Sequence, residues 1–122
     1  MNPERKKQLE TAGIDVGQAL ERMMGSEALL ERLLGKFPAD QNFQKLCRAL
    51  ECGDSAGAVS AAHTLKGICG NLSMTSLFEL FTKQVEALRR GDLTEAGRLM
   101  EEIRPAYEEA VKAIGGDGDE SR

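Results

Sequence analysis

The chain repeats one short junction between apolar stretches, and this junction constrains the fold more than any other feature. The pattern A-L-x-x-G-D occurs at residues 49–54 and again at residues 87–92. Glycine readily takes the left-handed conformation that ends a helix, and the aspartate that follows can cap the next helix. Short connections between successive helices make those helices antiparallel neighbours.

Apolar residues recur at helical spacing on both sides of these junctions. Gly25-Ser26 separates two short helices near the N-terminus, and the last helix is predicted from about Leu93 to Ile114, with a kink at Pro105. The predicted class is all-α, an antiparallel up-down four-helix bundle with short N-terminal helices packed on it. We expect a partly ordered N-terminal extension over residues 1–12, the bundle over 13–114 and a disordered acidic tail over 115–122.

Composition argues against several classes of protein. The net charge of −4 has the wrong sign for a nucleic-acid module, and 4% aromatic residues leave few stacking platforms for bases. No apolar run approaches the roughly 18 residues of a membrane helix, and the first residues lack the apolar core of a signal peptide. The chain has three cysteines, an odd number, and no C-x-x-C pair, so without an export signal we expect them to be reduced thiols. We therefore expect a cytoplasmic protein that binds neither nucleic acid nor membrane.

The helix after Asp54 carries the single histidine of the chain. Its apolar stripe is predicted to consist of Ala58, Ala62, Leu65, Cys69 and Leu72. At about 100° per residue, a second face lies well away from that stripe and should point outward. This face consists of Val59, His63, Lys66, Gly67 and Gly70.

A lone histidine on a helix is usually a surface residue without a special role, but two neighbours favour a functional interpretation here. Gly67 and Gly70 lie within a helix, where each glycine costs about 0.5–1 kcal/mol relative to alanine. Their position on the His63 face predicts a surface cleared for a close partner, whereas tight helix packing is the simpler explanation of such glycines. Lys66, one turn from His63, adds a flexible ammonium that can pair with phosphoryl oxygens.

An exposed imidazole beside a cation and open space has the components of a phosphoryl acceptor. The sequence has no Walker loop, no glycine-rich nucleotide loop and no obvious acidic cluster for Mg²⁺. We therefore expect a phosphoryl carrier without its own ATP site or cofactor, rather than an enzyme.

The segment A-H-T-L-K-G at residues 62–67, followed by G-N-L at 70–72, resembles the H-x-x-K-G signature of histidine phosphotransfer (HPt) domains. The opening G-I-D-V at residues 13–16 is also similar to that family. The resemblance implies a bundle whose exposed His63 accepts phosphate from the aspartate of one receiver domain and passes it to another. The receiver domains, in response regulators and hybrid histidine kinases, would supply Mg²⁺ and most of the catalysis. We expect a free-standing, monomeric shuttle of this kind.

Two positions depart from the family pattern. Ser73 stands where the family commonly has a glycine, directly after the apolar residue that closes the motif. Family members often place a glutamine twenty-two residues after the histidine to hydrogen-bond its ring, but Val85 occupies that position here and Gln84 precedes it. Gln84 is therefore carried over as a candidate to orient His63.

Two other functions are compatible with parts of the pattern. The repeated A-L-x-x-G-D turn motivates the hypothesis of a tetratricopeptide-like interaction module, but such solenoids need at least about three repeats and only two turns recur. A zinc site could use His63 with Cys47, Cys52 and Cys69, although their spacing is poor and Cys69 belongs to the apolar stripe. Small core or boundary residues are the simpler interpretation of the cysteines.

Overall fold

The computed structural model describes residues 1–115, which form seven α-helices. In chain order these are α1 (Pro3–Thr11), α2 (Val16–Arg22), α3 (Glu27–Lys36), α4 (Asn42–Cys52), α5 (Ser55–Asn71), α6 (Thr75–Arg89) and α7 (Leu93–Gly115). Within this range the only extended pairing is an isolated antiparallel bridge between Ile14 and Met74. The predicted all-α class is confirmed.

The two G-D junctions form the turns that the sequence predicts. Gly53 and Gly91 have φ angles of 74° and 80°, in the left-handed region that favours glycine. Asp54 and Asp92 each accept a hydrogen bond of 2.9 Å from the backbone N–H three residues further along. Each junction therefore ends one helix and caps the next within a few residues.

The first twelve residues differ from the partly ordered extension that we expected. They contain α1, and Leu9 in this helix is fully buried. The Arg5 guanidinium donates hydrogen bonds of 2.9 and 2.8 Å to the carbonyls of Ala113 and Ile114, at the end of α7. It also forms an ion pair with Glu31 of α3. Because these contacts give the last carbonyls of α7 a partner, α1 is an integral part of the fold.

The four long helices α4 to α7 pack mainly against their neighbours in sequence. Helix α7 also contacts α1, α3 and α4. The Phe43 ring of α4 stacks on the Tyr107 ring of α7, with the ring centroids 3.9 Å apart. The buried apolar residues form one continuous core, which this contact between α4 and α7 helps to enclose.

The junction between α5 and α6 keeps a tight bend although serine replaces the expected glycine. Ser73 has a φ of 55°, a conformation that L residues rarely adopt. Its carbonyl accepts a hydrogen bond of 2.9 Å from the Asp15 backbone N–H, and its Oγ accepts one of 3.2 Å from Arg22 Nε. These contacts from the N-terminal segment hold the strained residue in place.

Helix α7 runs one residue beyond the predicted end. Gly115, the first residue of the predicted acidic tail, is the last residue of the helix. Residues 116–122, the remainder of the predicted disordered tail, lie outside the described residues. Pro105 lies within the helix, as predicted.

Candidate functional site

Helix α5 buries the stripe that its sequence predicts and turns the opposite face outward. Every predicted stripe residue is buried, including Leu72, which follows the last residue of the helix. His63 and Gly67 are exposed, whereas Val59, Lys66 and Gly70 are half-buried. The face proposed from the sequence therefore exists, with His63 near its centre.

The His63 side chain forms no hydrogen bond with any residue of the described range. The nearby Thr64 hydroxyl donates to the Ser60 carbonyl of its own helix at 3.0 Å. Because no side chain of residues 1–115 hydrogen-bonds to the imidazole, a reacting group can approach its nitrogen lone pair without displacing any of them.

Phe78 is a component of this surface that the sequence analysis missed. Its side chain is 37% exposed on α6, and Met24 is the only other exposed large hydrophobic residue in the described chain. The Lys66 Nζ atom lies 5.9 Å from the centroid of the Phe78 ring. Its position in the sequence does not mark Phe78 as exposed, since adjacent residues such as Gln84 and Val85 are both buried on the same helix.

Gly67 and Gly70, the two glycines of the His63 face, have different surroundings, which corrects the shared role predicted for them. A Cβ atom on Gly67 would meet nothing within 4 Å, in agreement with a cleared surface. On Gly70, a Cβ atom would lie 3.1 Å from two atoms of the Phe78 ring. Gly70 is therefore a packing glycine that makes room for an aromatic side chain of α6.

A groove of about 550 Å³ continues from this face toward α2. It contains both glycines and the Phe78 ring, together with Arg22 and Ser73 at the α5–α6 junction. The acidic side chain of Glu79 also lines it. The exposed face of α5 is therefore part of a wider concave surface to which three helices contribute.

The structure contradicts the role assigned to Gln84. Its side chain is fully buried, and its Nε2 donates a hydrogen bond of 2.9 Å to the Ala96 carbonyl of α7. Within residues 1–115, the Oε1 atom has no hydrogen-bond partner. Because a one-residue offset on a helix turns a side chain by about 100°, Gln84 points toward α7 and does not orient His63.

Replacing Gln84 by methionine should increase the free energy of unfolding by about 1 kcal/mol. The variant loses one hydrogen bond but removes a buried acceptor whose missing partner costs about 1–3 kcal/mol. Urea denaturation measures the change, and Gln44→Met, at an exposed glutamine of α4, is the matched control. If Gln84→Met also shortened the lifetime of phosphate on His63 and the control did not, Gln84 would be an orienting residue after all.

The three cysteines do not assemble a metal site with His63. Cys69 is fully buried, and this burial raises the pKa of its thiol to about 12, which disfavours the thiolate that zinc requires. Cys47 is half-buried on α4 and Cys52 is exposed at its end. Within residues 1–115 no group of three or more candidate ligands is close enough to hold a metal ion.

The sequence model of one protein family, described as the Hpt domain, matches residues 29–114. This range includes His63, Lys66 and both glycines of the exposed face. The searches for similar curated proteins and for similar solved structures found no match. Among the helices of residues 1–115, none has the length and hydropathy of a membrane span. The family match favours phosphotransfer over the tetratricopeptide-like alternative.

Proposed function

The chain belongs to the Hpt domain family, whose members take part in histidine phosphotransfer, and on this basis we propose that His63 carries the phosphoryl group. The donor would be the aspartyl phosphate of one receiver domain, and the acceptor the aspartate of another. The observation that carries the proposal is the exposed imidazole of His63, which has no hydrogen-bond partner in residues 1–115, beside the open Gly67.

The transfer needs only a nitrogen lone pair and access to phosphorus. A ring nitrogen of neutral imidazole attacks the phosphorus of the aspartyl phosphate, and a P–N bond forms. The bond between phosphorus and the aspartate oxygen breaks, and its electron pair leaves with the carboxylate. Passing the phosphoryl group to a second receiver is the same exchange in reverse, with Mg²⁺ bound by the receiver.

The family membership and the packing of the helices also support the finer predictions made from the sequence. We propose that α4 to α7 form an antiparallel up-down bundle, since each helix packs on its neighbour across a short connection. The bundle would act as a monomeric carrier in the cytoplasm, with receiver domains as its partners and without a cofactor of its own.

Lys66→Ala should shorten the lifetime of phosphate on His63 by about fivefold and slow the transfer, with little effect on stability. At a protein surface an ammonium stabilises a nearby phosphoryl group by up to about 1 kcal/mol, and this free energy corresponds to about fivefold in lifetime. The decay of labelled protein and the melting temperature are the two measurements.

Lys112→Ala removes the same charge from an exposed site on α7 and is the matched control for Lys66→Ala. It should leave both the lifetime and the transfer unchanged. A large drop in melting temperature with normal transfer in Lys66→Ala would instead assign Lys66 a structural role.

Incubation with phosphorylated receiver domains of the same organism tests the proposed function. The label should move from receiver to this chain in the presence of Mg²⁺, and it should be lost in acid, as expected for a P–N bond. Label that stays on every receiver, or that survives acid on this chain, would contradict the proposal.

A further inference from the structure

The Phe78 ring lies at the surface next to Gly70 and Lys66, two residues of the α5 face that carries His63. A Cβ atom on Gly70 of α5 would lie 3.1 Å from two atoms of the ring, so an alanine there would require the ring to shift by a few tenths of an ångström. The Lys66 ammonium lies 5.9 Å from the ring centroid, within the range of a cation–π contact. Two residues of α5 thus hold an aromatic side chain of α6.

Core packing does not explain this arrangement. The core-facing side of α6 already buries Leu77, Phe81 and Val85, whereas 37% of the Phe78 side chain is in contact with solvent. Exposed aromatic surface is unfavourable in water, and a glycine within a helix adds a further cost. An aromatic side chain that is rigid before binding loses little conformational freedom when a partner covers it, which is typical of the residues that dominate interface energies.

We propose that Phe78 is the apolar anchor on which a receiver domain docks beside His63, and that Gly70 provides the seat that fixes the ring. This inference rests on the proposed function, because a receiver that exchanges phosphate must approach His63. The groove that contains Phe78 adjoins the face of α5 on which His63 lies. Arg22 and Glu79 are the charged residues that line the groove, one of each sign, and Lys66 beside the Phe78 ring adds a net positive charge at its edge. The carboxylates of a receiver's phosphorylation site fit this balance of charge.

Transfer between two receiver domains, with this chain present in catalytic amount so that each molecule turns over repeatedly, gives a KM for the phosphorylated donor and a kcat and so separates docking from chemistry. Phe78→Ala should raise the KM for the phosphorylated receiver about tenfold or more, with kcat nearly unchanged. Phe78→Leu should restore much of the affinity. Met24→Ser, at the other exposed large hydrophobic residue, is the control and should leave KM unchanged.

The proposed role of Gly70 in fixing the Phe78 ring is tested by Gly70→Ala, alone and combined with Phe78→Ala. The added methyl group should displace the ring and raise KM on its own, but it should have no further effect once the ring is absent. Circular dichroism and melting temperature show that each variant is folded. Equal effects of Gly70→Ala in both backgrounds would mean that Gly70 acts independently of Phe78 and would contradict the proposal that Gly70 fixes the Phe78 ring.

Phosphoramidate, a small phosphoryl donor that needs no docking surface, distinguishes failure of this inference from failure of the proposed function. It should label wild type and Phe78→Ala equally. If both are labelled and the KM for the receiver is also equal, the anchor is wrong and the phosphoryl-carrying role of His63 stands. If the wild-type chain takes label from neither phosphoramidate nor any receiver, the proposed function fails and the anchor fails with it.

Discussion

Replacing His63 by glutamine is expected to abolish acid-labile phosphorylation completely. His63 is the single histidine of the chain, and the lone pair of a glutamine amide nitrogen is delocalised into the carbonyl and cannot attack phosphorus. The fold should be unaffected, because the side chain is exposed and makes no hydrogen bond within the described residues. Labelling by a phosphorylated receiver and helical circular dichroism are the two measurements.

Thr64→Ala is the matched control for His63→Gln. Thr64 is the next residue of α5 and is also exposed, and its hydroxyl donates a hydrogen bond to the Ser60 carbonyl of the same helix. This variant should accept phosphate as wild type does. Acid-labile label on His63→Gln would show that the phosphoryl group resides elsewhere.

Replacing Gly67 by glutamine should reduce receiver transfer by at least about tenfold without unfolding the protein. A Cβ atom meets nothing at this position, so a longer side chain can extend into the space that a partner would fill above His63. Gly67→Ala should keep transfer and raise the free energy of unfolding by up to about 1 kcal/mol, because alanine is the better helix former. Transfer assays and urea denaturation measure the two effects.

Gly97 on α7 offers a matched control, since it is an exposed helical glycine with the same open surroundings. Gly97→Gln should leave transfer unchanged. The access role of Gly67 would be refuted if Gly67→Gln exchanged phosphate as well as wild type and Gly67→Ala destabilised the helix.

The helix boundaries could be predicted where local chemistry determines them. Gly53 and Asp54 form a turn from their own backbone preferences, and the same is true of the second junction. The bend at Ser73 could not be predicted in this way, because a serine at a φ of 55° depends on hydrogen bonds with Asp15 and Arg22, far away in the sequence. Helix α1 is a similar case, since Arg5 finds its carbonyl partners at the end of α7.

The candidate site was predictable to the extent that it lies on one helix. The periodicity of α5 is sufficient to place His63, Lys66 and Gly67 on one exposed face. Periodicity cannot show whether a helical glycine borders open space or a side chain of another helix. At Gly70 the neighbour is the Phe78 ring of α6. The direction of Gln84 likewise depends on how α6 is rotated against α7, which a one-residue offset in a motif does not reveal.

The most direct test of His63 as a phosphoryl carrier is to locate the phosphoryl group after transfer. The wild-type chain would be charged by a phosphorylated receiver with Mg²⁺, digested at neutral to alkaline pH and analysed by mass spectrometry. We predict phosphate on the peptide that contains His63 and on no other peptide, and its loss when a second, unphosphorylated receiver is added. Phosphate on a serine, threonine or aspartate, or phosphate that no second receiver removes, would contradict the proposed function.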